Sequence, residues 1–235
     1  DGSMKMPYYK GYFNSNDPNL KMDFDGTIDL SLKAKNYDFK LALNGGDIDL
    51  DLDGDYSADE TVPVFSIDLA LNELKLKAVE QFSSEEIKNA EGSLSGNFKV
   101  SGTTSDPQYN GTLNFKDLAF HVTKLNAQFK IPEQNIAINN QGIYLNKFNI
   151  KDENDNTFVV DGAVLTNDFS NPDFDLKINA KNFTVLNSTE KDNDLFYGTA
   201  GFDIDAVLSG NLNLPKLKMR FDLLPNTNVT YIMAE

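Results

Sequence analysis

The sequence predicts an all-β fold built as one long curved sheet. Three observations carry this. Alternate residues are apolar over most of the chain, and a period of two sends neighbouring side chains to opposite faces of a strand. Turn dipeptides separate the alternating runs at hairpin distances. A Pro also opens the same kind of run four times: Pro18-Asn-Leu20-Lys-Met22-Asp-Phe24, Pro107-Gln-Tyr109-Asn-Gly111-Thr-Leu113, Pro172-Asp-Phe174-Asp-Leu176-Lys-Ile178 and Pro215-Lys-Leu217-Lys-Met219-Arg-Phe221. The copies lie at unequal intervals, so this is no counted solenoid but one construction rule reused along the chain.

The run after Pro18 continues into Ile28, Leu30 and Leu32, which alternate with Thr27, Asp29 and Ser31. Ile48, Leu50 and Leu52 alternate with Asp47, Asp49, Asp51 and Asp53, between turn signals at Asn44-Gly45-Gly46 and Asp53-Gly54. Phe65, Ile67, Leu69 and Leu71 follow. Their parity slips at Asn72-Glu73 and resumes at Leu74 and Leu76, which predicts a β-bulge or a bend. Only the stretch 82–90 reads as helical. It predicts one short helix near 83–91, with Ser84 as cap, Glu85 and Glu86 in the first turn and Gly92 beyond the end. Strands resume over Leu94, Phe98 and Val100; Leu113 and Phe115; Ile136 and Ile138; Phe174 to Ala180; and Phe202 to Leu208. Ser105-Asp106-Pro107, Asn110-Gly111, Asp161-Gly162 and Asn171-Pro172 read as the turns between them. Asp, Lys and Asn fill the outward positions of nearly every strand, leaving one face to bury. Such a sheet closes into a barrel, pairs with a second sheet, or rolls into a trough.

Composition narrows the function. The 235 residues carry a net charge of −15, which argues against nucleic acid as a partner, because phosphate contacts need a basic patch. It argues equally against electrostatic docking on an anionic membrane. There is no Cys, hence no disulfide or thiolate metal site, and His121 is the single histidine. No apolar run reaches the ~18 residues of a membrane helix, and no signal peptide is visible. With Asp1-Gly2 at its start, the chain reads as an internal piece of a longer protein, a single elongated domain over residues 1–235.

No catalytic motif emerges. Gly92-Ser-Leu-Ser-Gly96 has Leu94 where a nucleophile elbow needs Ser, and there is no P-loop, dinucleotide fingerprint or HExxH. The chain reads as non-enzymatic, with no cofactor. Asp49-x-Asp51-x-Asp53-Gly54-x5-Glu60 fits the calcium-loop pattern of an EF-hand. Such a loop lies between helices, whereas these Asp residues continue the polar face of a strand, so the solvated face is the reading and no metal is expected. Asp152-x-Asn154-x-Asn156 lacks the Gly and the Glu and reads as a turn. Sequons at Asn110, Asn182, Asn187 and Asn228 are expected by chance in an Asn-rich chain. The apolar strand faces fit either a closed sandwich core or an open groove for acyl chains, where each CH₂ removed from water gains about 0.8 kcal/mol.

The second half resembles the C-terminal region of the TamB-like family (translocation and assembly module, DUF490) within the AsmA-like superfamily. The resemblance rests on an ordered set of segments: Gly92-Ser-Leu-Ser-Gly96-Asn-Phe-Lys-Val-Ser-Gly102, Asp106-Pro107-Gln-Tyr-Asn-Gly111-Thr-Leu-Asn-Phe115, Asp161-Gly-Ala-Val-Leu-Thr166 and Phe174-Asp-Leu-Lys-Ile-Asn-Ala180. Phe183-Thr-Val-Leu-Asn187, Leu195-Phe-Tyr-Gly198, Ser209-Gly210-Asn-Leu-Asn-Leu-Pro215 and Thr227-Asn-Val-Thr-Tyr-Ile232 complete it. It spans roughly residues 47–235; the first 45 match only in general strand character. The resemblance implies a curled antiparallel sheet, a β-taco or trough, with apolar interior and polar exterior. It also implies a periplasmic location, a parent anchored in the inner membrane of a double-membrane bacterium, and phospholipid transport between the membranes in support of outer-membrane biogenesis. An outer-membrane assembly protein of the TamA/BamA type is the implied partner. On that reading acyl chains meet Ile48, Leu50, Leu52, Leu113, Phe115, Leu176, Ile178, Phe202, Ile204, Leu217, Met219 and Phe221. The alternatives are a chaperone-like factor that offers its sheet edge to nascent barrel strands, and a structural β-sandwich module.

Overall fold

The fold is taken from a computed structural model. It describes the backbone of residues 2–14, 21–33, 36–58, 62–193 and 195–233, and the side chains from residue 37 onward within them. Among these residues, fifteen strands form one antiparallel sheet. They are β1 (Gly2–Asn14), β2 (Lys21–Lys33), β3 (Asn36–Gly45), β4 (Ile48–Ser57), β5 (Val64–Lys75), β6 (Ile87–Gly102), β7 (Pro107–Val122) and β8 (Ala127–Ile131). After these come β9 (Gln134–Asn139), β10 (Gly142–Lys151), β11 (Thr157–Leu165), β12 (Asp173–Ser188), β13 (Phe196–Asn211), β14 (Lys216–Leu223) and β15 (Asn228–Tyr231).

From β1 to β7 each strand pairs with its neighbour in sequence. The long β7 then serves two partners, β9 along residues 110–115 and β8 along 118–122. The path continues β10-β11-β12-β13, and β13 likewise divides between β14 and β15. The all-β curled sheet is the fold class the alternation predicts. Pro107 opens β7, and Pro172 and Pro215 stand immediately before β12 and β14, where a missing N–H costs no ladder bond. Pro18 lies outside the described residues.

The short helix exists between the same two strands, but it ends where the sequence suggested that it would begin. Helix α1 is Leu76–Phe82, and Leu76 and Ala78 bury against β6. Ser84 and Glu85 take left-handed φ of 51° and 68°, so the chain reverses where a helix was expected to start. Ser83 terminates α1: its Oγ donates to the Glu80 carbonyl (2.7 Å) and accepts from the Ile87 amide (3.1 Å). Ile87 then enters β6. The acidic pair that looked like a first helical turn belongs to this reversal.

Three expected turns are strand interior. Gly54 sits within β4, Gly111 within β7 and Gly162 within β11. The first two lie beneath aromatic rings: a Cβ on Gly54 would stand 2.2 Å from Cζ of Phe39, and one on Gly111 2.3 Å from Cδ1 of Phe98. These glycines make room for a cross-strand ring rather than for a reversal. The parity slip at Asn72-Glu73 is a bulge as predicted, with register shifts on both sides of β5.

Among the described residues, two clusters of buried side chains form the core. Ala127, Phe129, Ala180 and Phe183 make one, supported by Phe158, Phe202 and Ile204. Leu76, Ala90 and Leu118 make the other, supported by Leu94 and Phe115. Phe120 packs against both. The sheet curls enough that Phe129 on β8 and Phe183 on β12 stack with centroids 5.9 Å apart, although β10 and β11 separate those strands in the path.

Candidate functional site

Residues directly opposite in an antiparallel pair project to the same face. Following the register from strand to strand therefore traces one face of the sheet. Leu43, Leu50, Leu71, Gly96, Leu113, Ile136, Leu145, Gly162, Leu176, Leu208 and Leu217 form one unbroken row from β3 to β14. Every member is Leu, Ile or Gly. Parallel rows add Leu52 opposite Leu69, Ile178 opposite Ala206 and Met219, and Ile204 opposite Phe221.

Mid-strand bulges keep this face apolar through β6, β7, β10 and β12. Asn89, Asp117, Lys147 and Asn182 take positive φ of 53°, 47°, 49° and 53°, each at a register shift. The spacing between inward residues becomes three there, as in Phe115 to Leu118, Leu145 to Phe148 and Ala180 to Phe183. Two of these bulges share a clamp. The Lys147 amide donates to Asp161 Oδ1 (2.9 Å) and the Asn182 amide to Asp203 Oδ1 (2.7 Å), each Asp lying on the adjacent strand. Alternation alone gives no warning of this device; the recurring Lys88-Asn89, Lys116-Asp117 and Lys181-Asn182 before an apolar residue is the sequence signal that marks it.

All twelve residues expected on the apolar face lie on it, in three settings. Leu176 is buried. Ile48, Leu50, Leu52, Leu113, Phe115, Ile178, Phe202 and Ile204 are half-buried, and Phe115, Phe202 and Ile204 pack against the two clusters. Leu217, Met219 and Phe221 on β14 are exposed, Met219 to 57%. Leu223 continues this strip, and Val229 and Tyr231 on β15 are exposed as well. A run of Phe side chains links interior to strip: Phe120–Phe129 at 6.0 Å, Phe183–Phe202 at 5.9 Å and Phe202–Phe221 at 5.2 Å.

The opposite face is charged. Lys99 pairs with Asp68 at 3.2 Å and Lys40 with Asp53 across neighbouring strands. Asp49 and Asp51 accept from Asn72 Nδ2 at 3.1 and 2.9 Å. The three Asp residues of the calcium-loop pattern thus run along β4 with partners of their own; Glu60 lies outside the described residues. Among the described residues no group of three or more acidic, His or Cys side chains is arranged to hold a metal ion.

Carboxylates in the turns between strands serve the fold. Asp152 is 0% exposed. Its Oδ1 accepts from the amides of Asn154 and Asn156 (2.9 Å each), and its Oδ2 from Asn156 Nδ2 (3.0 Å) and the Thr184 amide (2.8 Å). The predicted turn at 152–156 is thereby pinned to β12. Asp192, between β12 and β13, accepts from the amide and Oγ1 of Thr189 (2.7 Å each). These bonds, the backbone one first, hold its carboxyl below the ordinary value of 3.8, and His121 and Lys191 add to the effect. Asp168 is likewise held low by the Ser170 hydroxyl and amide.

Residues 146–233, from within β10 to beyond β15, match the family model of the TamB C-terminal domain. Over this segment the chain is similar to TamB. The TamB segment contains most of the larger cluster and all of the exposed β14 strip. TamB proteins are non-enzymatic components of the Gram-negative cell envelope that act in outer-membrane protein assembly and envelope biogenesis with an outer-membrane partner. No curated protein and no solved structure matches the chain. Among the described residues no helix is long and apolar enough to cross a membrane.

Proposed function

We propose that the apolar face of this TamB-like sheet holds phospholipid acyl chains and lets them pass between the inner and outer membranes of the envelope, from a periplasmic position. One observation carries the reading: a row of Leu and Ile side chains that runs from β3 to β14, interrupted by Gly96 and Gly162 alone, and becomes solvent-exposed at Leu217. An acyl chain has no hydrogen-bonding group to satisfy, so a face offering only methyl and methylene groups suits it. A peptide strand laid on the same face would leave its N–H and C=O groups unpaired. No catalytic residue or cofactor enters the proposal.

The test is native mass spectrometry of the purified protein with lipid extraction of the same sample. Bound phospholipid is expected, and Met219→Asp is expected to lower its occupancy several-fold. Met219 is the better position than Ile204, because Ile204 packs against the core and an Asp there would damage the fold itself. A folded, monodisperse protein free of lipid would sink the proposal.

A second reading has its own observation. The path ends at β14, whose residues are all exposed. This edge fits addition of a nascent barrel strand by backbone pairing, with an outer-membrane assembly protein of the TamA/BamA type as recipient. Crosslinks from the β14 backbone edge to peptide, rather than from the apolar face to lipid, would favour it.

A further inference from the structure

The apolar face is not evenly filled. Past the bulges at Asp117, Lys147 and Asn182, inward side chains close on one another: Phe129 stacks on Phe183 at 5.9 Å, Phe158 meets Phe183 at 5.6 Å, and Phe202 meets both. Phe183 is 4% exposed. Rings at these separations leave no passage for a methylene chain, since interiors pack at the density of organic crystals. On the other side of the bulges, Leu113, Leu145, Ile178 and Leu208 share the face, are only half-buried, and belong to neither cluster, while Leu176 and Ala206 beside them are buried without an aromatic ring over them.

Polar ties hold the filled part together. Asn126 Nδ2 donates to the Asn187 carbonyl (2.7 Å) and Asn193 Nδ2 to the Lys124 carbonyl (3.3 Å), fastening the β7–β8 turn to the end of β12 and to the loop after it. Asp152 fastens the β10–β11 turn to Thr184. The opposite strand ends are tied by Tyr109, whose Oη lies 3.1 Å from Thr166 Oγ1 and whose ring meets Phe169 at 5.7 Å.

We infer that the aromatic cluster is an internal stop: it confines acyl chains to the strand halves before the bulges, from Leu113 through Ile178 and Leu208 to the open β14 strip. The inference rests on the acyl-chain reading above and gives that reading a boundary. Phe129 and Phe183 are the residues that set it, by occupying the volume that a chain would need.

The experiment uses a phosphatidylcholine carrying a diazirine at the end of one acyl chain. The purified protein is loaded with this lipid and irradiated, and labelled peptides are mapped by mass spectrometry. Label is expected around Ile178, Leu208 and Met219, and at least tenfold less around Phe129, Ile150 and Phe158. In Phe129→Ala or, should that variant fold poorly, Phe129→Leu, label is expected to spread several-fold onto Ile150 and Phe158. Equal labelling of both halves in the native sequence overturns the stop and leaves the groove standing. An unchanged map in a folded Phe129→Ala protein removes the role assigned to the rings. No label anywhere on the face overturns the acyl-chain reading, and the stop with it.

Discussion

Asp152 has no contact with solvent, yet four donors converge on its carboxylate, three from its own turn and one from Thr184. Truncation would strand several of them away from water, each costing roughly 1–3 kcal/mol. Asp152→Ala is therefore expected to lower stability by at least ~3 kcal/mol, read as a shift in the urea midpoint with unchanged slope. The sequence marks Asp152-x-Asn154-x-Asn156 as a turn, and it is one. Nothing local reveals the donor from β12, because that contact exists only once the strands have assembled. Asp192 gives a prediction in pH. Its carboxyl is held below 3.8 by Thr189; a depressed folded value means that the contribution is full above the ordinary carboxylate value and fades as pH falls through the folded one. The protection factor of the Thr189 amide, taken against its intrinsic exchange at each pH, is expected to fall on acidification through that window, and Asp192→Asn to abolish that fall.

The bulges decide the shape of the long strands. A left-handed conformation costs a residue with a Cβ about 1–2 kcal/mol, and far less when the residue is Asn or Asp than when it is β-branched. Lys147 bears that cost at φ 49°. Lys147→Gly is expected to be neutral to stabilising and Lys147→Val to lose ~1–2 kcal/mol in thermal or urea unfolding; equal effects would mean that the conformation is not held. Strand existence was legible from period alone, as was the slip at Asn72-Glu73. The misplaced helix shows the limit. Ser84, Glu85 and Glu86 have the composition of a helix start, but Ser83 bonds back to Glu80 and ends a helix that has already formed. Leu76, which reads as the next strand residue, instead turns inward against Ala90 and Leu118. Asp161-Gly162 misleads for a related reason. Gly162 has φ +129° and would place a Cβ 2.0 Å from the Asp175 carbonyl, so glycine serves a close strand approach where a reversal was expected.

Across the molecule, alternation in the sequence becomes one apolar face, and all twelve residues chosen by parity share it. Parity does not tell which parts of a face are filled. Phe202 and Phe221 have the same pattern in sequence, yet Phe202 packs into the core and Phe221 is 44% exposed, because the sheet curls over the former and stops paired growth at the latter. The difference is measurable. Phe183→Ala is expected to cost about 3–5 kcal/mol, whereas Met219→Asp, at an exposed position, is expected to change stability by about 0.5 kcal/mol or less. The order of the path has a further consequence. Nearly all pairing is between strands close in sequence, and the path runs open from β1 to β14. Thirteen strands placed ~4.8 Å apart span roughly 60 Å. A hairpin duplicated or deleted within such a path would change the distance covered without disturbing the pairs on either side, so the protein is built like a ruler whose length evolution can adjust one graduation at a time.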